Sequence, residues 1–288
     1  MFLLKQILPA VITAVLVAVA VGGLSVRLRR RFAGGEWVNN LLAACAVGLG
    51  YAGGHLMVTG WMGFPPADTT NWLFYFALAA GMLGMVYSAW APAAWIGLPG
   101  FAVFAVGALR LLLQPKFQYS WEHGQGWIWV MGLAVLMTLV GAMLDLLGQR
   151  CRPTPWAWPV CLLLMCGGAF GALMLSGSLL LGQLASVLAA AVGGNLVVTA
   201  SWRQSSSSSR GVVPVFSLLL SALLISGYFF AELPGWSALL LAFAPVPVLF
   251  PTGNLTPRRA FALRTTLLCL PVLAALILAW RASPSLDY

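Results

Sequence analysis

From Ile7 to Val26 the chain runs through twenty residues without one ionisable side chain, and runs of this kind recur almost to the C-terminus. About 20 apolar residues cross the hydrocarbon core of a bilayer as an α-helix. Of the 288 residues, 61% are hydrophobic and 7% charged. A typical soluble domain carries roughly 25% charged residues. A chain this poor in charge has too little polar surface to cover itself in water, so lipid is its solvent. The expected fold is all-α, a polytopic transmembrane bundle of about ten helices, with no stretch left for a soluble domain.

The expected spans are 7–26, 38–58, 71–90, 93–113, 128–147, 157–175, 179–200, 212–231, 236–251 and 264–280. The ninth is short and holds Pro245 and Pro247, which leaves re-entry open as an alternative to crossing. Arg27, Arg29, Arg30 and Arg31 follow the first span at once. They resist translocation, so this segment reads as a first membrane helix rather than a cleaved signal.

Basic residues orient the bundle. With the N-terminus outside, inner loops hold eleven of the fifteen Lys and Arg: Arg27, Arg29, Arg30, Arg31, Arg150, Arg152, Arg203, Arg210, Arg258, Arg259 and Arg264. Lys5, Arg110, Lys116 and Arg281 fall outside, and so do Asp68, Glu122, Glu232 and Asp287. The positive-inside rule then puts both termini on the non-cytoplasmic side, with a bacterial inner (plasma) membrane as the expected location. The net charge of +9 is spread over helix ends, which argues against nucleic acid as a partner. All thirteen tryptophans sit at or beside span ends, where an indole ring is half dry and its N–H meets water.

Small residues at four-residue spacing let helix backbones approach closely, which replaces the hydrophobic drive that lipid removes. Gly182, Ser186, Ala190 and Gly194 form such a face on the seventh span. Ala44, Gly48 and Ala52 do so on the second, Ala80, Gly84 and Ser88 on the third, and Gly167 and Gly171 on the sixth. The five cysteines read as small hydrophobes. Cys161 and Cys166 lie on different faces of one helix, and no CxxC or Cys/His cluster supports a metal or redox site.

The more informative helix breakers are Gly97, Pro99 and Gly100 in the fourth span and Pro245 and Pro247 in the ninth; Pro159, Pro214 and Pro271, near the starts of or inside other spans, dilute the signal. Ten helices divide into two sets of five, 1–148 and 149–288, which an odd number per set forces into opposite orientation. The broken spans then take the fourth place in each. Matched breaks in inverted halves point to a transporter's central site. In architecture the outline resembles drug/metabolite-type transporters, which have ten helices in two inverted sets of five. The resemblance implies a permease. No motif carries it, and those transporters keep both termini inside, unlike this chain.

Polar groups within spans are few. His55 lies near the outer end of the second span; with His123 in a loop, a bis-His haem is disfavoured and one axial ligand stays open. Asp145 lies near the inner end of the fifth, five residues from Arg150, where local interfacial pairing is the plain reading and proton coupling the sharper one. Gln183 and Asn195 on the seventh are uncharged hydrogen-bonders within reach of a substrate or a neighbouring helix. The outer loop 114–126, with Trp121, Glu122 and His123, reads as a lid, a docking face or a plain connector. No cofactor is legible. HExxH, GxSxG and paired intramembrane acids are absent from the sequence, so an enzyme would rest on His55, Glu122, His123 and Asp145 alone. Two functions compete: a small-molecule permease with a midplane site, and a non-catalytic subunit packed against partner helices of a membrane complex. Neither reading names a substrate.

Overall fold

The computed structural model describes residues 2–32, 36–66, 68–90, 94–151, 156–201, 209–249 and 256–283. Outside them lie most of the serine run (205–208), Pro251, Asn254, Leu255 and Asp287. The side chains of Lys5, Trp90, Trp95 and Trp202, and of Arg27, Arg29, Arg30, Arg31, Arg152, Arg203, Arg210 and Arg258, are not described either.

Eleven α-helices and no strand appear among the described residues: α1 (Phe2–Phe32), α2 (Glu36–Thr59), α3 (Trp72–Trp90), α4 (Ala94–Leu112), α5 (Gln114–Tyr119), α6 (His123–Arg150), α7 (Ala157–Leu175), α8 (Leu179–Ser201), α9 (Ser209–Phe230), α10 (Gly235–Ala242) and α11 (Pro257–Ala282). Short 3-10 turns at Thr69–Asn71 and Val246–Leu249 precede α3 and follow α10. Eight helices are long and apolar enough to cross a membrane. The protein is a multi-pass integral membrane helix bundle.

The bundle is organised around α9, which packs against α2, α3, α4, α6, α7, α8 and α10. Every residue from Gly211 to Gly227 is buried. Within the apolar span of α9, 89% of residues are buried, against 17% in α11. A lipid-facing helix and a fully enclosed one are equally apolar in a bilayer. Size separates them: Gly211, Ser217, Ser221, Ala222, Ser226 and Gly227 let neighbours close in on α9 from all sides. A Cβ on Gly211 would sit 2.8 Å from the Asn40 carbonyl carbon and 2.8 Å from Ser88 Oγ; one on Gly84 would sit 2.8 Å from the Ala44 methyl. Thus α2, α3 and α9 meet backbone to backbone at one end.

A second close contact joins α1, α2 and α8. Gly50 and Gly54 of α2 face Ala14, Ala18 and Ala10 of α1, and Gly194 of α8 packs on Ala18 and the Val15 main chain. The small-residue faces on the second and seventh spans therefore pack inside the chain. Gly171 of α7 receives Leu276 of α11, while Gly167 is exposed and faces open space.

The ninth expected span is interrupted. Gly235 begins α10 beside Tyr228 and close to Trp129, with which it shares a groove. At the far end the Leu249 carbonyl accepts a hydrogen bond from Arg150. Trp129 and Arg150 are separated along α6 by about 31 Å of helix. Fifteen α-helical residues would cover only ~22 Å. The turn at Phe243–Pro245 and the 3-10 turn Val246–Leu249 rise faster per residue, so the interrupted segment is longer than a continuous helix of the same residues.

Candidate functional site

Of the two breaker-containing spans, only the ninth is interrupted. α4 is one continuous helix through Pro99, and Leu98, Pro99 and Gly100 all face outward, with open space beyond Gly100. Gly97 is buried against the Tyr87 ring. Pro99 is the sixth residue of α4, so it removes one helix donor, yet the helix runs on through it. At the other break Pro245 is buried and Pro247 half-buried, between Ala244 and Val248, both fully enclosed. The structure does not bring the two sets of prolines into one cavity: α4 packs mainly on α6, while α10 and its 3-10 turn pack on α11, α9, α7 and α6.

What α10 does form is one wall of an apolar groove of about 230 Å³. Leu133 and Leu136 of α6, Leu224 and Ile225 of α9, and Ala238 and Leu239 of α10 line it, with Ser221 as a polar group in its wall. Ser237 turns away and donates to the Ala275 carbonyl over 3.0 Å, pinning α10 to α11. The rim is aromatic: Trp129, Tyr228 and Phe229. Trp121 closes onto that rim, stacked on Trp129 (centroids 6.2 Å apart) and edge-on to Phe229 at 5.3 Å. The loop thus ties its half-buried tryptophan to the groove walls, while Glu122 and His123 are exposed at the start of α6. Nearby, the Arg110 guanidinium lies 4.1 Å from the centre of the Phe117 ring and Lys116 5.8 Å from that of Phe230.

His55 is fully buried on α2, one turn beyond Tyr51, with ring centroids 5.7 Å apart. Among the described residues neither imidazole nitrogen nor the Tyr51 hydroxyl has a hydrogen-bond partner. Asn71, just before α3, is near enough to interact with the ring without closing a bond. Phe74 packs on the other side at 6.3 Å.

The remaining expected residues are dispersed. Gln183 and Asn195 are both buried on α8, about 18 Å apart along the helix. Asp145 accepts from Gln149 Nε2 over 2.8 Å. The expected pairing with Arg150 is replaced because residues four apart share a helix face and residues five apart do not. Asp145 lies about 33 Å along α6 from His123, so His55, Glu122, His123 and Asp145 do not assemble into one centre.

A constellation that the sequence did not suggest sits at the Arg150 end of α6. Cys151, just past α6, and Cys161, in the second turn of α7, are both buried. Arg264 of α11 reaches the Cys151 sulfur at 4.0 Å and donates to the Arg150 carbonyl over 2.8 Å. The ten-residue separation and a third group from a distant helix left no motif. Arg264 was visible only as a topology marker. Among the described residues no group of three or more His, Cys, Asp or Glu is arranged to hold a metal ion.

No known protein family, curated protein or solved structure matches this chain.

Proposed function

We propose that this protein is a permease for a small amphiphilic molecule whose apolar part occupies the groove between α6, α9 and α10. The observation that carries the reading is the interrupted α10: its break turns Pro245 inward, and its helical half walls an apolar groove under an aromatic cover. Irregular backbone at membrane depth is tolerated only against protein or a cavity, and discontinuous helices are where carriers place their sites. The groove's surface selects for hydrocarbon, with Ser221 as an orienting hydrogen-bonder. Support comes from one broken helix rather than a matched pair. Contacts such as α1 with α8 and α3 with α9 cross the division at residue 148, so the moving parts would be interleaved rather than two free-standing halves. The proposed setting is a bacterial inner membrane with both termini outside, from the distribution of Lys and Arg.

Purified protein reconstituted alone into liposomes, with a short-chain fluorescent phospholipid in the inner leaflet, tests this. Faster transfer than in protein-free liposomes, slowed by Ala238→Trp, is the expected result. Equal rates with and without protein would sink the reading.

The second reading, a membrane-complex subunit, is favoured by α1 and α11, which leave Leu8, Leu16, Leu270, Leu273 and Ile277 on the outside. A stable complex recovered from native membranes in mild detergent would support it; a chain that always elutes alone would count against it.

A further inference from the structure

Two cations border the aromatic rim of the groove. Arg110 stands in the last turn of α4 and Lys116 in α5. Both are half-buried. The Arg110 guanidinium lies 4.1 Å from the centre of the Phe117 ring, which is edge-on to Trp121 at 5.8 Å. Trp121 in turn stacks on Trp129 of the rim. Lys116 Nζ lies 5.8 Å from the centre of the Phe230 ring, and Phe230 follows Phe229 of the rim. Among the described residues no carboxylate or hydrogen-bond acceptor partners either side chain. Glu122, six residues from Lys116, and Glu232, two from Phe230, are exposed. Water and salt screen exposed charges strongly and half-buried ones much less, so the cations set the field at the rim. A cation held over an aromatic face keeps its N–H donors. The guanidinium offers two of them in parallel to a phosphate.

The groove beyond the rim has nearly the depth of one leaflet. It runs about 10 Å along α6 from Trp129 to Leu136 and about 12 Å along α9 from Phe229 to Ser221. Half of a bilayer's hydrocarbon core is about 15 Å. Tyr228 and Leu239 are exposed at its side, so an acyl chain enters from the lipid without crossing water. Indole and phenol rings settle at the headgroup layer. The two cations beside them therefore stand at the height of lipid phosphates.

We infer that the groove takes one acyl chain of an anionic glycerophospholipid, with the lipid phosphate against Arg110 and Lys116. This rests on the reading of the groove as the permease's site and adds the headgroup. A zwitterionic choline lipid has the same phosphate but brings its own ammonium up to two cations, and like charges in contact discriminate against it.

The test uses the full-length protein in phosphatidylcholine nanodiscs. A trace lipid, phosphatidylglycerol or phosphatidylcholine, carries a diazirine at the end of one acyl chain. After illumination the labelled peptides are mapped by mass spectrometry. Peptides holding Leu133, Leu136 or Leu239 should label about fivefold more with the glycerol lipid, the effect of one cation at a membrane surface, or beyond that if both act. Peptides of the lipid-facing α11 should label equally with the two. Arg110→Gln together with Lys116→Gln should bring the glycerol lipid down to the choline level. Choline-lipid labelling that stays unchanged in this variant reports that it is folded, and the wild-type comparison decides by itself if it is not. Equal labelling of the groove by the two lipids overturns the headgroup and leaves the groove as a site. A preference that survives the folded double variant overturns it too. Groove peptides labelled no better than α11 by either lipid would sink this inference and the permease site together.

Discussion

The guanidinium of Arg264, on the last helix, donates to the main-chain carbonyl of Arg150, at the end of α6, over 2.8 Å. The last carbonyls of a helix have no partner within it, and a cation there also meets the negative end of the helix dipole. One turn of chain away Arg150 does the same service for the 3-10 turn that ends the ninth span, donating to the Leu249 carbonyl. Two arginines that mark topology in the sequence thus also close two helix ends. Arg264→Gln is expected to destabilise the bundle by about 1–2 kcal/mol, as a charged hydrogen bond lost near the surface. Arg264→Lys, which keeps one donor, should lose less. Reversible unfolding in mixed micelles measures both, and equal stability of all three proteins would show that the contact carries nothing.

The junction of α2, α3 and α9 depends on the absence of side chains. A methyl group at Gly84 would meet the Gly211 carbonyl and the Ala44 methyl, whereas Gly107 and Gly132 face open space. Gly84→Ala should therefore cost about 1–3 kcal/mol as overpacking, while Gly107→Ala and Gly132→Ala leave the thermal midpoint unchanged or slightly raised. If all three behave alike, the close approach is not there.

Tyr51 carries an enclosed hydroxyl that none of the described residues satisfies. An unpaired buried polar group is a penalty that the folded state bears. Tyr51→Phe removes the hydroxyl and keeps the ring, so a gain of about 1 kcal/mol is expected in the same unfolding measurement. A loss of stability would mean that the hydroxyl is held by a hydrogen bond.

Pro99 and Pro245 should behave oppositely. Pro99 sits on the outward face of a continuous helix, so Pro99→Ala restores a helix donor and is neutral or mildly stabilising. The paired change Pro245→Ala, Pro247→Ala lets the α-helix continue, and the shortened segment no longer brings Leu249 to Arg150. Cysteines placed at Arg150 and Leu249 should cross-link readily with the prolines present and poorly without them. Undiminished cross-linking would show that the break does not set the length.

The solvent and the covalent chain determined part of this protein without help from its fold. Runs free of charge have to become helices in lipid, because every backbone polar group there needs a partner within its own segment. The span map followed from that requirement, and tryptophans and arginines marked its ends. The small-residue faces of α2 and α8 were equally legible, since only glycine, alanine and serine let backbones touch.

Tertiary structure decided what lies inside. Lipid and protein interior are equally apolar, so hydropathy does not distinguish central α9 from peripheral α11. The same prolines that suggested two matched breaks produce one, because Pro99 falls early in its helix and faces outward, while Pro245 is wedged between packed helices. Arg264 meets the Arg150 carbonyl and Cys151 only because α11 folds back to the end of α6. Spacing along the chain records who is near on one helix, and this contact joins two.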